Sequence, residues 1–377
     1  MLNRNDISRI LNDLFRTELA TGQTDSLAVF DVDNDQVWKS LPEDIKLICE
    51  EKSALIFGYM MRSFSSFERM TDYAYASYLK NQQINFLMKD AAGATKIYTH
   101  TTNMVWDESR ALSVLFKPAK RIVSLVPTNY FYGFMFAVIL PHVLQIPVVT
   151  LPALPVQSWQ TLLQSGDVVI GIPLFWNYWL RGNNHFPTGV CAVSSTELCP
   201  DSTVTGLLNA GAERFIEIYG STQTGSVAWR EKPNSLFEIF PFWDISLKEK
   251  EPLLRRAHLN FWQHLPDHAA IKNERFLYPT TRFDTGVKIA GITVYPKRVE
   301  AALSSHPAVK ACRVRLMRPE EGNRLKAFIV LNEGFGPEQI GEIRSYLNQY
   351  LTAHEIPRTF TFGEMLPTGE TGKETDW

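Results

Sequence analysis

The chain is poor in the features that announce a function quickly. Four cysteines occur in 377 residues, Cys49, Cys191, Cys199 and Cys312, with no CxxC pair and no Cys/His cluster at zinc spacing. A disulfide framework and a thiolate metal site are therefore not indicated, and reduced structural thiols suit a cytoplasmic protein. Charge of one sign is also missing: 38 Lys and Arg against 40 Asp and Glu give a net charge of -2, which argues against a general nucleic-acid binder. No long apolar run survives inspection. The most apolar stretch, Phe131 to Leu154, is broken by Gly133, Pro141, Pro147 and Pro152, so it predicts a buried helix followed by a strand and no membrane span. The N-terminal MLNRNDISRILNDLFRTEL mixes charge with apolar residues at helical spacing and lacks the apolar segment of a signal peptide. Neither repeats nor low-complexity tracts occur. The eight histidines are dispersed, with no Ser-His-Asp order to suggest a hydrolase, and His264 and His268 flank Asp267 on what reads as a loop, a poor platform for a metal pair.

Apolar residues make up 45% and charged residues 21%, ordinary for a globular protein, and the length predicts two domains. Up to about Asn85 the spacing is helical, as in ISRILNDLF and IKLICEEKSALIFGYMM. Beyond it, short apolar runs ended by Gly or Pro (RIVSLVP, IPVVTLP, DVVIGIP) alternate with helical stretches such as FMFAVILPHVL, the layout of an α/β domain with a mixed or parallel sheet. VKIAG, CRVRLM, LKAFIVL and RTFTF read as strands, YPKRVEAALSSH and PEQIGEIRSYLNQYL as helices. The expected organisation is a large domain over 1–283, with 1–85 a mainly helical lead-in, and a small α+β domain over 284–377.

The last twelve residues, LPTGETGKETDW, contain a Gly-Lys pair. A GxxxxGK[ST] phosphate loop needs a glycine five residues before that pair, a hydroxyl after the lysine and a helix to follow. Pro367 and Glu374 occupy the first two positions and Lys373 leaves no room for the helix, so the tail is not such a loop.

Taken as Pro367, four residues, then Gly372-Lys373, and preceded by HEIPRTFTFGEM, the tail resembles the C-terminal end of the adenylate-forming enzymes, a superfamily of acyl- and aryl-CoA ligases, nonribosomal peptide adenylation domains and luciferases. Two further motifs occur in order. IEIYGSTQTGSVAWR is similar to the family's YGxTE segment, and RFDTGVKIAGITVYPKRVEAALSSHPAV to the segment that crosses the hinge. The resemblance implies ATP and Mg2+ as cofactors, formation of an acyl-AMP from a carboxylic acid, and transfer to a thiol of coenzyme A or an acyl carrier protein. It also implies roles. Lys373, on a mobile small domain, would neutralise charge as the mixed anhydride forms, which is electrostatic stabilisation. Tyr219 would stack on adenine within the turn that Gly220 and Ser221 continue, and Thr222 would meet the α-phosphate. Asp267 would accept both ribose hydroxyls, Arg282 would contact ribose or phosphate, and Asp284 would be the hinge.

Departures from the pattern cluster at the phosphates. FLMKDAAGATKIYTHT has Gly93 and Lys96 where the family's triphosphate loop has them, but Ala91 and Ala92 replace hydroxyls and Asp90 brings a carboxylate. Each lost charge-assisted bond weakens phosphate binding by roughly 1.5 to 3 kcal/mol. Gln223 stands where a glutamate helps hold magnesium, a weak ligand for a hard cation. An active ligase is the favoured expectation. The alternatives are a degenerate adenylate-binding partner of a carrier protein or pathway enzyme, and a purely structural remnant. The YGST turn with its WR ending most resembles compact ligases that load aromatic acids onto carrier proteins in aryl-polyene or xanthomonadin-type pigment pathways. Tyr130, Phe131, Gly133 and Phe134 would line the acid pocket, and Lys288 would face the thiol acceptor.

Overall fold

The lead-in is helical because its apolar residues recur three and four apart. Arg4–Thr21 buries Ile7, Leu11 and Phe15, Glu43–Phe57 buries Ile45, Cys49 and Ile56, and Phe67–Asn81 buries Met70, Ala74 and Tyr78. The three helices pack on one another, with the Phe15 ring 5.5 Å from Trp38 and 6.0 Å from Phe67. Ser66 caps the last of them by accepting from the Arg69 amide, and Gly58 ends the middle one in the left-handed region at φ 70°. The computed structural model describes residues 1–21, 35–90, 92–151, 159–247, 252–256, 261–265, 267–282, 286–318, 321–367 and 377.

Strand structure starts at β1 (Gln83–Lys89), slightly before the expected limit of the helical lead-in, and β1 pairs with β2 (Thr95–Thr101) as a hairpin. The next strands are β3 (Arg121–Ser124), β4 (Val148–Thr150), β5 (Asp167–Gly171), β6 (Cys191–Ser194), β7 (Arg214–Ser221), β8 (Gly225–Arg230) and β9 (Phe237–Ile239). A small antiparallel sheet of β10 (Trp243–Ser246), β11 (Leu253–Arg256) and β12 (Gln263–His264) follows, then β13 (Asp267–Lys272) and β14 (Phe276–Arg282). Among the described residues nine of these strands form one sheet in the order β13-β14-β9-β8-β7-β6-β5-β3-β4. Its β4-β3-β5-β6-β7 half is parallel, as the short fully buried runs predict, and its β7-β8-β9-β14 part is antiparallel. Arg121 on β3 donates to both oxygens of Asp167 on β5, at 2.9 and 2.6 Å, tying two parallel neighbours at their first residues. The expected mixed α/β architecture is thus present. Asp267 corrects one detail: it begins a strand and is not a loop residue.

Two compact units result, one of Met1–Met88 with Lys96–Thr280 and one of Lys89–Thr95 with Thr281–Trp377. Within the second, β15 (Val287–Ile289) and β16 (Ile292–Val294) form a hairpin, and helix Pro296–Ser304 starts with its proline in the first turn. The sheet β17 (Val309–Leu316), β18 (Leu325–Leu331), β19 (Thr359–Phe362) completes it with helix Ile340–Leu347. Val299, Leu303, Leu325, Ile329, Ile343 and Leu347 make its core. Arg315 on β17 and Lys326 on β18 both donate to the main-chain oxygen of Trp377, and the Arg315 guanidinium lies 4.9 Å from the centre of the indole.

The apolar stretch from Phe131 folds as the predicted buried helix, Phe131–Phe134 running through a π segment, Met135–Ile139, into Leu140–Leu144. Pro141 has no N–H to give the preceding turn, which widens before it. Two residues expected in an acid pocket belong instead to this packing. Phe134 has no exposed surface and sits 5.3 Å from the Phe86 ring, and a Cβ on Gly133 would lie 2.0 Å from the Pro127 carbonyl oxygen. Only glycine lets the helix approach that carbonyl. Gly133→Ala is expected to lose about 1 to 3 kcal/mol of stability through overpacking, read from the midpoint of urea denaturation.

Candidate active site

The YGST segment is a strand-to-strand turn whose shape is set by its own side chains. Strand β7 carries Glu217, Tyr219 and Gly220, a register shift between Tyr219 and Gly220 interrupts its pairing with β8, and a Cβ at Gly220 would meet the Gly225 carbonyl oxygen at 2.2 Å. The Ser221 amide donates to Thr224 Oγ1 and the Thr224 amide to Ser221 Oγ, both at 3.1 Å, and the two hydroxyls are 3.0 Å apart. Those reciprocal bonds close the turn and leave Thr222 half-exposed and Gln223 exposed at its apex. The Thr222 carbonyl oxygen is 2.7 Å from His100 Nε2. A carbonyl only accepts, so Nε2 carries the proton. Burial holds the His100 imidazole below the usual histidine range, which keeps it neutral with a bare Nδ1.

Beneath the turn lies a buried ion pair between Glu108, from helix Thr102–Ser113, and Arg256 on β11, with side chains 1% and 2% exposed. Glu108 Oε1 also accepts from the Ser226 amide at 2.7 Å, and the Arg256 guanidinium sits 4.4 and 4.5 Å from the Phe242 and Trp243 ring centres. Trp243 Nε1 donates to the Ser226 carbonyl at 2.8 Å. A second buried pair lies further along β7: Glu217 accepts from Arg230 Nε at 2.7 Å and from the Cys199 amide at 2.6 Å. The sequence offered little warning of Glu108, Arg256 or His100. Their only signal is a polar residue at a position where helical or strand periodicity demands an apolar one.

Tyr219 and Asp267 meet. The tyrosine hydroxyl donates to Asp267 Oδ2 at 2.8 Å across 48 residues of chain. Three strands separate β7 from β13 in the sheet order, and a flat sheet would hold them about 19 Å apart. The hydrogen bond therefore records a sheet curled enough to bring its β13 edge over β7. Tyr219 is 9% exposed, with Phe237 at 6.0 Å on its inner side.

The β1–β2 turn has Gly93 in the left-handed region at φ 83° and Lys96 exposed on β2. Asp90 Oδ1 accepts from the amides of Ala92 at 3.0 Å and Ala94 at 2.9 Å, the Gly93 amide donates to the Asp90 carbonyl at 2.9 Å, and Lys89 Nζ donates to Thr95 Oγ1 at 2.9 Å. At the start of the Phe131 helix, Tyr130 is half-buried and the Phe131 ring, 7% exposed, lies 4.5 Å from the His100 imidazole at 35°. Burial pushes the Tyr130 phenol upward, so it stays protonated. Lys288 is half-buried on β15 opposite Thr293, and Arg282 closes β14. Lys373, Asp284 and Ala91 lie outside the described residues.

The described residues contain no group of three or more His, Cys, Asp or Glu side chains able to hold a metal. The two buried carboxylates of the site region, Glu108 and Glu217, are already engaged by arginines, and Gln223 offers only a neutral oxygen. This donor set does not fit a protein-held magnesium ion. No described helix is long and apolar enough to cross a membrane.

Residues 298–373 match the family model of the AMP-binding enzyme C-terminal domain. Over most of the chain the sequence is similar to 4-coumarate–CoA ligases: 29% identical to that of Halorhodospira halophila, covering 77% of this chain and 74% of the relative, and 28% identical to that of Cereibacter sphaeroides, covering 78% and 71%. Among solved structures the fold is similar to a double mutant of o-succinylbenzoate CoA synthetase (MenE) from Bacillus subtilis, with TM-score 0.65, 18% identity, and coverage of 77% of this chain and 67% of that one. The amide bond synthetase McbA from Marinactinospora thermotolerans aligns equally well, with TM-score 0.65, 16% identity and the same coverage. These likenesses support the resemblance to the adenylate-forming superfamily.

Removing one member of the Glu108–Arg256 pair strands a buried charge. Arg256→Leu is expected to cost about 3 to 5 kcal/mol in urea denaturation, and Glu108→Leu with Arg256→Leu to recover much of it. Acid should act through the histidines as well. His100 and His354 are both held low by burial, so their contribution is full above the ordinary value of 6.5 and is lost as the pH falls through their depressed folded values. Thermal midpoints measured from pH 7.5 to 5 should drop less steeply for His100→Gln than for the parent.

Proposed function

We propose that the protein is an AMP-forming acid–thiol ligase that converts a carboxylic acid, aromatic or otherwise apolar, and ATP to an acyl-adenylate and pyrophosphate, then passes the acyl group to a thiol. The observation that carries this reading is the Tyr219–Asp267 hydrogen bond. Two residues remote in sequence, each expected at a different part of an adenosine, are held side by side. A carboxylate has two oxygens and about four acceptor sites, so Asp267 can serve the ribose hydroxyls as well as the tyrosine, and the Tyr219 ring is fixed in orientation through its hydroxyl for stacking on adenine. Thr222, at the apex of a turn braced by His100, Ser221 and Thr224, offers its hydroxyl to the α-phosphate without having to order a loop first.

The chemistry then follows. A carboxylate oxygen attacks the α-phosphorus, the bond to the bridging oxygen breaks, and pyrophosphate leaves with the electron pair. Lys373 would neutralise charge between carboxylate and α-phosphate in that step, and Arg282 would hold the nucleotide. Magnesium would travel with the ATP phosphates, and no step here depends on a protein-held ion. In the second step a thiolate attacks the acyl carbon and AMP departs. Tyr130 and Phe131 supply flat apolar surface for an acid with a ring, in keeping with the 4-coumarate–CoA ligase relatives. Coenzyme A is the acceptor those relatives favour. A carrier protein, as in pigment-pathway ligases, is the alternative, with Lys288 as a candidate contact for the pantetheine phosphate and Asp284 as the hinge that changes the small domain's position. A cytoplasmic setting fits the four buried free cysteines.

A second reading, an adenylate-binding homologue that no longer turns over ATP, is favoured by the hydrogen bonds of Asp90 to its own loop. Pyrophosphate exchange with ATP, magnesium and a panel of aromatic and short fatty acids separates the two. Exchange with at least one aromatic acid, reduced a hundredfold or more by Lys373→Ala, is the expected result, and the absence of exchange with every acid would support the second reading.

A further inference from the structure

The first helix, Arg4–Thr21, carries Asp6, Arg9, Asp13 and Thr17 three and four residues apart, a polar stripe that sequence alone would assign to solvent. It is covered instead: Asp6 is 3% and Asp13 7% exposed. Each of the four reaches into one stretch of chain, residues 128–142. Thr128, with no exposed surface, donates to Asp13 Oδ2 twice, from its amide at 2.7 Å and from its hydroxyl at 2.6 Å. Pro141 has no N–H for the Ala137 carbonyl four residues back, and Arg9 donates to that carbonyl at 2.7 Å. Thr17 Oγ1 lies 3.4 Å from Asn129 Oδ1, and His142 Nε2 lies 2.8 Å from Asp6 Oδ2. A carboxylate taken out of water is costly unless hydrogen bonds answer it, so Asp13 and Thr128 fix one another.

Resting on the reading above, in which Tyr130 and Phe131 line the acid pocket, we propose that Asp13 is a positioning residue for the carboxylic acid, acting through Thr128 on the two rings that follow it. Residues 126–130 belong to neither a strand nor a helix, and the main-chain bond from Tyr130 to the Pro127 carbonyl is stretched to 3.5 Å. The two short bonds to a charged acceptor are the stronger restraint on this turn. The lead-in helix is thereby part of the acid half of the site. Nucleotide binding does not share the dependence, because the turn between β7 and β8 is closed by its own Ser221 and Thr224 bonds.

Pyrophosphate exchange by the full chain, with ATP–magnesium and the fastest-exchanging aromatic acid of a panel that includes 4-coumarate, tests this. Asp13→Ala is expected to raise the KM for the acid about tenfold and to leave the KM for ATP within about twofold. Asp13→Asn keeps an oxygen for both Thr128 donors and should return the acid KM to within about threefold of the parent. A helix that only stabilises the fold would lower kcat through loss of folded protein and leave both KM values in place. That result, or equal rises in both KM values, would overturn the inference while leaving the proposed function standing. Should Asp13→Ala lose its circular dichroism, Thr128→Val, which removes one donor and keeps the amide, is expected to raise the acid KM alone by about threefold, and equal KM values for variant and parent would count against the inference. Absence of exchange by the parent with every acid would overturn both.

Discussion

The candidate site depends on one buried charge pair. Glu108 and Arg256 come from a helix and a strand 148 residues apart, and they meet under the turn that joins β7 to β8. Either residue alone would be an uncompensated ion in a dry interior, so neither can be placed without the other. Each also holds a second group in place. Glu108 takes the Ser226 amide, and Arg256 lies against Phe242 and Trp243, whose own indole holds the Ser226 carbonyl. The pair thus fixes the first residues of β8 from both sides. Aliphatic side chains of equal volume would fill the space, but they would leave the Ser226 amide without an acceptor, and that position sets where the turn ends.

Above this base the turn is held in layers. Ser221 and Thr224 close it locally, His100 donates to the Thr222 carbonyl from a different strand, and the Phe131 ring packs against His100 at a tilt of 35°. A displacement of Phe131 would be felt by an imidazole that holds the turn, two contacts away. Such a chain of packed groups is a physical route for coupling between the start of the Phe131 helix and the turn. The curl of the sheet supplies the rest, because only a curled sheet lets Asp267 on the edge strand reach Tyr219 near the middle.

Much of the fold was legible because its determinants are local. Runs such as DVVIGIP and LKAFIVL are bounded by turn residues and are strands, and the helix over Pro296–Ser304 starts at its proline. The candidate site is marked in the sequence only by short motifs, as with Tyr219 and Thr222. Asp267 as an isolated residue suggested a loop, since its strand is only half-buried and polar and shows no clear alternation. Gly133 and Phe134 show the converse limit. Aromatic and glycine residues beside a pocket motif look alike whether they face the pocket or the core, and the contact with the Pro127 carbonyl that decides Gly133 is tertiary. His100, Glu108 and Arg256 escaped notice for the same reason: their partners lie more than a hundred residues away in sequence.

The turn between β1 and β2 is best understood as a set of linked features. A turn that presents three amides toward solvent or ligand is stable when hydroxyl side chains or a bound anion answer them, and costly when nothing does. With alanine at 92 no hydroxyl is available there, and Asp90 supplies the acceptor from inside the chain. The carboxylate thus answers from inside the chain amides that no hydroxyl at 92 or 93 serves. In this light the alanines and the aspartate do not add as independent defects. Adding a hydroxyl alone would leave the Ala92 and Ala94 amides on Asp90, and removing the carboxylate alone would leave them without that acceptor.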